Sequence, residues 1–188
     1  MNVEAKGLDY RALNEAIRAA GPSCRITGCL GQRFIGAGMS GRQVEIDGIP
    51  GNITVNGNAQ DAVGDTMNDG SIIIHGSVGD TAGYAMRGGE IYVQGNAGYR
   101  VGIHMKAYQD KQPVIVIGGR AGSFLGEYQA GGTILVLGQH TDGKPAAGYF
   151  PCTGQHGGRV IFRGDVSGIR FPEQVTPHAP TAEELAQL

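Results

Sequence analysis

Three stretches of this chain align with one another without a gap. NAQDAVGDTMNDGSIIIHG (58–76), SVGDTAGYAMRGGEIYVQG (77–95) and RAGSFLGEYQAGGTILVLG (120–138) are each 19 residues long. Residues 96–118 are the same unit with an insertion ahead of its strand. A fixed repeat of this length is the signature of a solenoid, because one unit cannot bury its apolar side until neighbours stack on it.

The register is carried by glycines. Gly64, Gly83, Gly102 and Gly126 correspond, and so do Gly79, Gly98 and Gly122. Gly76, Gly95, Gly118 and Gly138 are read as closing the units. Before each closing glycine stands an apolar pair at i, i+2: Ile72/Ile74, Ile91/Val93, Val114/Val116 and Ile134/Val136. That spacing marks a short strand with one buried face. Nineteen residues with several glycines hold two or three short strands and their corners, not a strand and a crossover helix. The chain is therefore expected to be all-β, a parallel β-helix of about six to seven coils. The crossover rule makes it right-handed. Ile72, Ile91, Val114 and Ile134 form its expected aliphatic ladder. Met67, Met86 and Met105 share a second phase and read as core filler. Asn58, Ser77 and Asn96 share a third, where small polar side chains can bond up and down the stack.

Weaker copies flank these units, one at 36–48 and one that ends in GGRVIFRG (157–164). The stretch 49–57 is too short for a coil and reads as either a short cut or missing residues. The ends differ in composition. Residues 9–20 carry Leu13, Ala16, Ile17 and Ala20 on one face, with Gly21 following, and read as an amphipathic helix covering the first coil. Thr181 to Glu184 is a capping box that opens a short terminal helix. The expected organisation is a helical cap (1–21), a β-helix (22–168) and a proline-containing tail (169–188).

Glycine makes up 34 of 188 residues, well above the usual ~7%. The glycines do not recur every third residue, which excludes collagen. Charged residues are 17% and the formal net charge is −2, with no basic cluster, so nucleic acid is not an expected partner. No apolar run approaches the ~20 residues that span a membrane, and the first residues carry no apolar signal core. Three cysteines fit a reducing cytoplasm better than a disulfide framework.

Few residues suggest chemistry. Gly36, Gly38 and Gly41 make a G-x-G-x-x-G string. It leads into a strand and sits in repeat phase, so it reads as a coil corner rather than a dinucleotide loop. Cys24, Cys29 and Cys152 lack the paired spacing of a metal or cluster site. No histidine pair shows metal spacing. The stretch 139–156 breaks the repeat and carries Tyr149, Phe150, Cys152 and His156. A Cys152–His156 nucleophile pair is conceivable, but a partner-docking loop is the stronger reading, since solenoids carry function in their insertions. A homodimer, side to side or end to end, is a further expectation.

The runs GNAGYRVG (95–102) and GEYQAGGTILVLG (126–138), with the repeated G-x-x-x-G…G-G-x-I-x-V-x-G, resemble the GXGXG β-helix family. This family comprises the C-terminal domain of the glutamate synthase large subunit, which also occurs as separate polypeptides. One of the subunits of formylmethanofuran dehydrogenase is related to it. The resemblance implies a scaffold that does no chemistry itself. A class II glutamine amidotransferase-like subunit and an FMN and iron–sulfur synthase-like subunit would be its partners, and FMN and the cluster would be held there. No family catalytic residue maps onto this chain. The alternatives are the related subunit of a formylmethanofuran-dehydrogenase-type complex and an independent binding module.

Overall fold

A computed structural model describes residues 1–29, 32, 34–38, 43–46 (backbone) and 59–186. The sheet is parallel throughout and its strand order is the chain order: β1 (Asn2–Glu4), β2 (Ser23–Thr27), β3 (Gln43–Ile46), β4 (Ser71–Ile74), β5 (Glu90–Val93), β6 (Val114–Ile117), β7 (Ala130–Val136) and β8 (Gly157–Phe162). Sequential parallel pairing with no helix between most strands is the wiring of a parallel β-helix, as the repeat predicts. The paired registers advance by 19 residues from β4 to β5 and again from β6 to β7.

Ile72 pairs with Ile91, Ile91 with Ile115, and Ile115 with Ile134, and all four are fully buried. Burial of each such side chain is worth about 1.5–3 kcal/mol. Opposite this ladder lie the corner glycines. Gly64, Gly83 and Gly102 have φ of +68°, +68° and +69°. A Cβ on each would lie 2.6, 2.5 and 2.5 Å from the Cδ1 of Ile91, Ile115 and Ile134, on the next coil. Glycine is required twice at these points: by the left-handed backbone, and by the isoleucine tip that fills the space. Met67, Met86 and Met105 complete the core, fully buried as expected.

Val114 does not belong to the ladder. It is half-buried, and Ile115 and Ile117 take the inward positions. Gly118 and Gly119 are adjacent, and the unit closes on the second: the Gly119 amide donates to the Gly95 carbonyl at 2.8 Å. Taking the first glycine shifts the strand by one residue, and a one-residue slip moves every side chain to the other face.

Helix α1 (Tyr10–Ala19) is capped by Asp9, whose side chain accepts from the Ala12 amide at 2.8 Å. It buries Leu13 and Ile17. It is more than a lid, because β1 precedes it and pairs with β2, so α1 is the crossover of the first unit. Three residues of strand with one inward apolar side chain, Val3, leave no periodic signal to read. The terminal helix α2 (Ala182–Leu185) forms on the expected capping box between Thr181 and Glu184. The short stretch 49–57 lies outside the described residues, as does Asn58. Strand β3 nevertheless pairs directly with β4, Gln43 opposite Ser71, a step of 28 residues.

Candidate functional site

Each coil turns through a corner in which every second residue is left-handed. Thr81, Gly83 and Ala85 have φ of +56°, +68° and +49°; Arg100, Gly102 and His104 have +56°, +69° and +56°; Phe124, Gly126 and Tyr128 have +58°, +65° and +53°. The corners stack by hydrogen bonds into columns. The Ala62 amide donates to the Asp80 carbonyl, Thr81 to Tyr99, Arg100 to Ser123, Phe124 to Tyr149 and Phe150 to Arg170, at 2.7–2.9 Å. One outward column therefore reads Asp61, Asp80, Tyr99, Ser123, Tyr149, Arg170. Its neighbour reads Phe34, Ala62, Thr81, Arg100, Phe124, Phe150. A third reads Thr66, Ala85, His104, Tyr128, Gly154.

Small polar side chains tie the coils together. The Asn96 amide donates to Ser77 Oγ at 2.9 Å, and the Arg120 amide to Asn96 Oδ1 at 2.8 Å. Thus Ser77 and Asn96 do bond along the stack, through the backbone of the next coil. Asp61 and Asp80 repeat the device in the neighbouring position, accepting from the Asp80 and Tyr99 amides at 2.9 and 2.7 Å.

The corner face changes character along the solenoid. At coils 58–76 and 77–95 its first two columns present aspartates and small residues, with the exposed Tyr84 beside the third. From residue 96 onward it presents rings and guanidinium groups. Arg100 lies 4.7 Å from the Tyr99 ring centroid and 5.5 Å from that of Phe124, and Arg170 lies 5.3 Å from that of Phe150. Arg100 Nε also pairs with the Glu127 carboxylate, which is buried. His104 stacks on Tyr128 at 5.2 Å and meets Tyr84 edge-on at 5.9 Å. Arginine over an aromatic face is favourable by about 0.5–1 kcal/mol at exposed sites.

The four candidate residues of the 139–156 insertion separate. Tyr149 is exposed and Phe150 half-buried on the corner face, 6.2 Å apart between ring centroids. Cys152 is buried and takes the place of the corner glycines: its amide donates to the Leu125 carbonyl, as Gly126 does to Val101, and its φ is +63°. Burial pushes its thiol up to about 11. A buried, protonated thiol is a poor nucleophile. The His156 ring is exposed, and its backbone amide donates to the Gln129 carbonyl. No hydrogen bond joins Cys152 to His156 among the described residues. Burial, with a smaller contribution from Glu4, likewise pushes Cys29 up to about 11. The described residues contain no group of His, Cys, Asp and Glu side chains able to hold a metal ion. Gly36 and Gly38, at φ +75° and +64°, form a coil corner as expected; Gly41 lies outside the described residues. A cleft of about 460 Å³ lies between α1 and this corner, with Tyr10, Arg11, Asn14 and Phe34 in its walls.

Residues such as Tyr99, Arg100, Phe124 and Arg170 were not singled out from sequence. The repeat register carries the signal for two of them: Thr81, Arg100 and Phe124 each stand two positions before a corner glycine. Arg170 has no such mark, because it joins the column from outside the repeats.

No helix among the described residues is long and apolar enough to cross a membrane. Residues 14–186 match the family model described as GXGXG motif. Among curated proteins, an uncharacterized protein of Methanocaldococcus jannaschii is 46% identical over 207 aligned positions, covering 99% of this chain and 79% of the relative. An alignment of 207 positions exceeds a chain of 188, so the relative holds at least 19 residues without a counterpart here, the length of one repeat. No solved structure matches the chain.

Proposed function

The chain belongs to the GXGXG family, and on that premise we propose that it is a non-catalytic scaffold subunit of a glutamate-synthase-like complex. Its partners in this reading are a class II glutamine amidotransferase-like subunit, which releases ammonia, and a synthase-like subunit that holds FMN and an iron–sulfur cluster.

The observation that carries the reading is the filled interior. Isoleucine tips occupy the space opposite Gly64, Gly83 and Gly102, on three successive coils, and Met67, Met86 and Met105 fill the remainder. A solenoid packed in this way offers rigidity and surface rather than a chamber for a reaction. The thiol with the strongest claim to nucleophilic chemistry, Cys152, is part of that packing. Function then belongs to the outer faces and to what docks there.

The test is affinity purification of the chain from its own cells under gentle conditions, followed by mass spectrometry and cofactor analysis. Co-purifying amidotransferase-like and synthase-like chains, with flavin and iron–sulfur absorbance, are the expected result. Molybdenum or tungsten with a pterin instead would overturn it in favour of the formylmethanofuran-dehydrogenase type.

A further inference from the structure

The first column of the corner face is antisymmetric in charge along the solenoid axis. It runs Asp61, Asp80, Tyr99, Ser123, Tyr149, Arg170, with carboxylates at one end and a guanidinium at the other. The second runs Phe34, Ala62, Thr81, Arg100, Phe124, Phe150, with small side chains between a ring at one end and rings at the other. Asp80 and Arg170 are exposed, and Tyr149 is 63% exposed. The column spans about 24 Å, five steps of roughly 4.8 Å.

A surface with this order is complementary to its own reverse. A two-fold axis perpendicular to the solenoid, passing between Tyr99 and Ser123, sets Arg170 of one copy against the Asp61 and Asp80 end of the other. The same rotation sets Tyr149 against Asp80, and Phe150 against Thr81. Charge meets opposite charge, and the rings of Tyr149 and Phe150 meet the small side chains of Asp80 and Thr81. Two-fold contacts of this isologous kind are the commonest route to a soluble dimer. Tyr99, Tyr149, Arg100 and Arg170 on this face are of the residue types enriched where such contacts form.

We propose that the corner face binds a second copy of this chain, antiparallel, as a two-fold dimer. The patch is two columns wide and sits at the small end of specific interfaces, below about 1,200 Å² in total, so a micromolar dissociation constant is expected. Steering by the charged ends makes association weaken as salt rises.

The test is sedimentation velocity of the full chain over a concentration series in the micromolar range, at low and at physiological salt. Wild type should show a monomer–dimer equilibrium. Asp80→Arg puts like charges together at both ends of its own dimer, guanidinium near Arg170. Arg170→Glu does the same with carboxylates. Each variant alone should lose at least tenfold in affinity. Mixed in equal amounts, the two should associate again. At one end of the mixed dimer the introduced arginine then lies one rung from the introduced glutamate, and at the other the native Arg170 lies one rung from the native Asp80. A misfolded variant cannot produce that rescue. Wild type that stays monomeric throughout, single variants that dimerise like wild type, or a mixture that stays monomeric would each overturn the proposal.

Discussion

At the scale of single residues, the fold depends on positions where only one side chain fits both backbone and neighbour. Gly83 has φ +68° and faces Ile115 Cδ1, whereas Gly21 has φ +90° and open space where a Cβ would go. Gly83→Ala should cost about 2–3 kcal/mol, the left-handed penalty plus displacement of the ladder, and Gly21→Ala only about 1 kcal/mol. Chemical denaturation of the two variants checks the difference. Gln129 stands where the three preceding coils have Met67, Met86 and Met105, and it is fully buried. Its Nε2 donates to the carbonyls of Gly131 and Gly132 at 3.2 and 3.1 Å, and its Oε1 accepts from Gln155 at 3.0 Å. Those carbonyls belong to the irregularity in β7 between Ala130 and Thr133. Gln129→Leu should therefore destabilise by about 1–3 kcal/mol, the penalty for stranding buried polar groups. The buried thiols add a pH dependence. Cys29 and Cys152 ionise near 11 when folded, against an ordinary 9.0 for the unfolded chain. Across that window the unfolded chain loses the proton first, so stability falls as pH rises, by up to about 1.4 kcal/mol per pH unit for each thiol. A pH series of unfolding curves, flattened in Cys29→Ala and Cys152→Ala, measures it.

At the scale of elements, the strand register decides which side chains are indispensable. Ile115→Asp would place a carboxylate between Ile91 and Ile134 and should abolish folding, as Ile91→Asp should. Val114→Asp, one residue away and half-buried, should leave a folded protein with a circular-dichroism spectrum like wild type. The reverse pattern would restore the register that closes the unit on Gly118. The repeat alone made the parallel β-helix legible, with its isoleucines, methionines and corner glycines. It left β6 ambiguous because Gly118-Gly119 offers two closing glycines and the run 113–117 offers apolar residues in both phases. The insertion ahead of β6 (106–113) reads in sequence as a break in the repeat and a candidate for function, with no signal for its fold. It folds back so that Lys111 Nζ meets Asp69 Oδ2 at 3.0 Å and the Asn68 carbonyl at 3.3 Å. That hydrogen bond and a backbone one from Gly70 hold the Asp69 carboxyl below its ordinary range. Both partners are exposed to water, so Lys111→Ala should cost less than about 1 kcal/mol.

At the scale of the whole molecule, the corner columns turn a one-dimensional repeat into a surface with a direction. Stacking copies of one unit would make every rung alike. Here the same positions hold aspartate in two coils and aromatic or basic groups in later ones. The candidate site was only half legible for this reason. Tyr149 and Phe150 stood out because they interrupt the repeat, but their partners in the columns come from ordinary repeats and from the tail beyond them.

If this solenoid is a scaffold for other chains, native mass spectrometry of the material recovered from its own cells tests that role most directly. The expected result is an assembly that contains the 19.6 kDa chain together with two different, larger polypeptides and bound flavin. Species found only at 19.6 kDa and its multiples would contradict the scaffold assignment, whatever the state of the dimer.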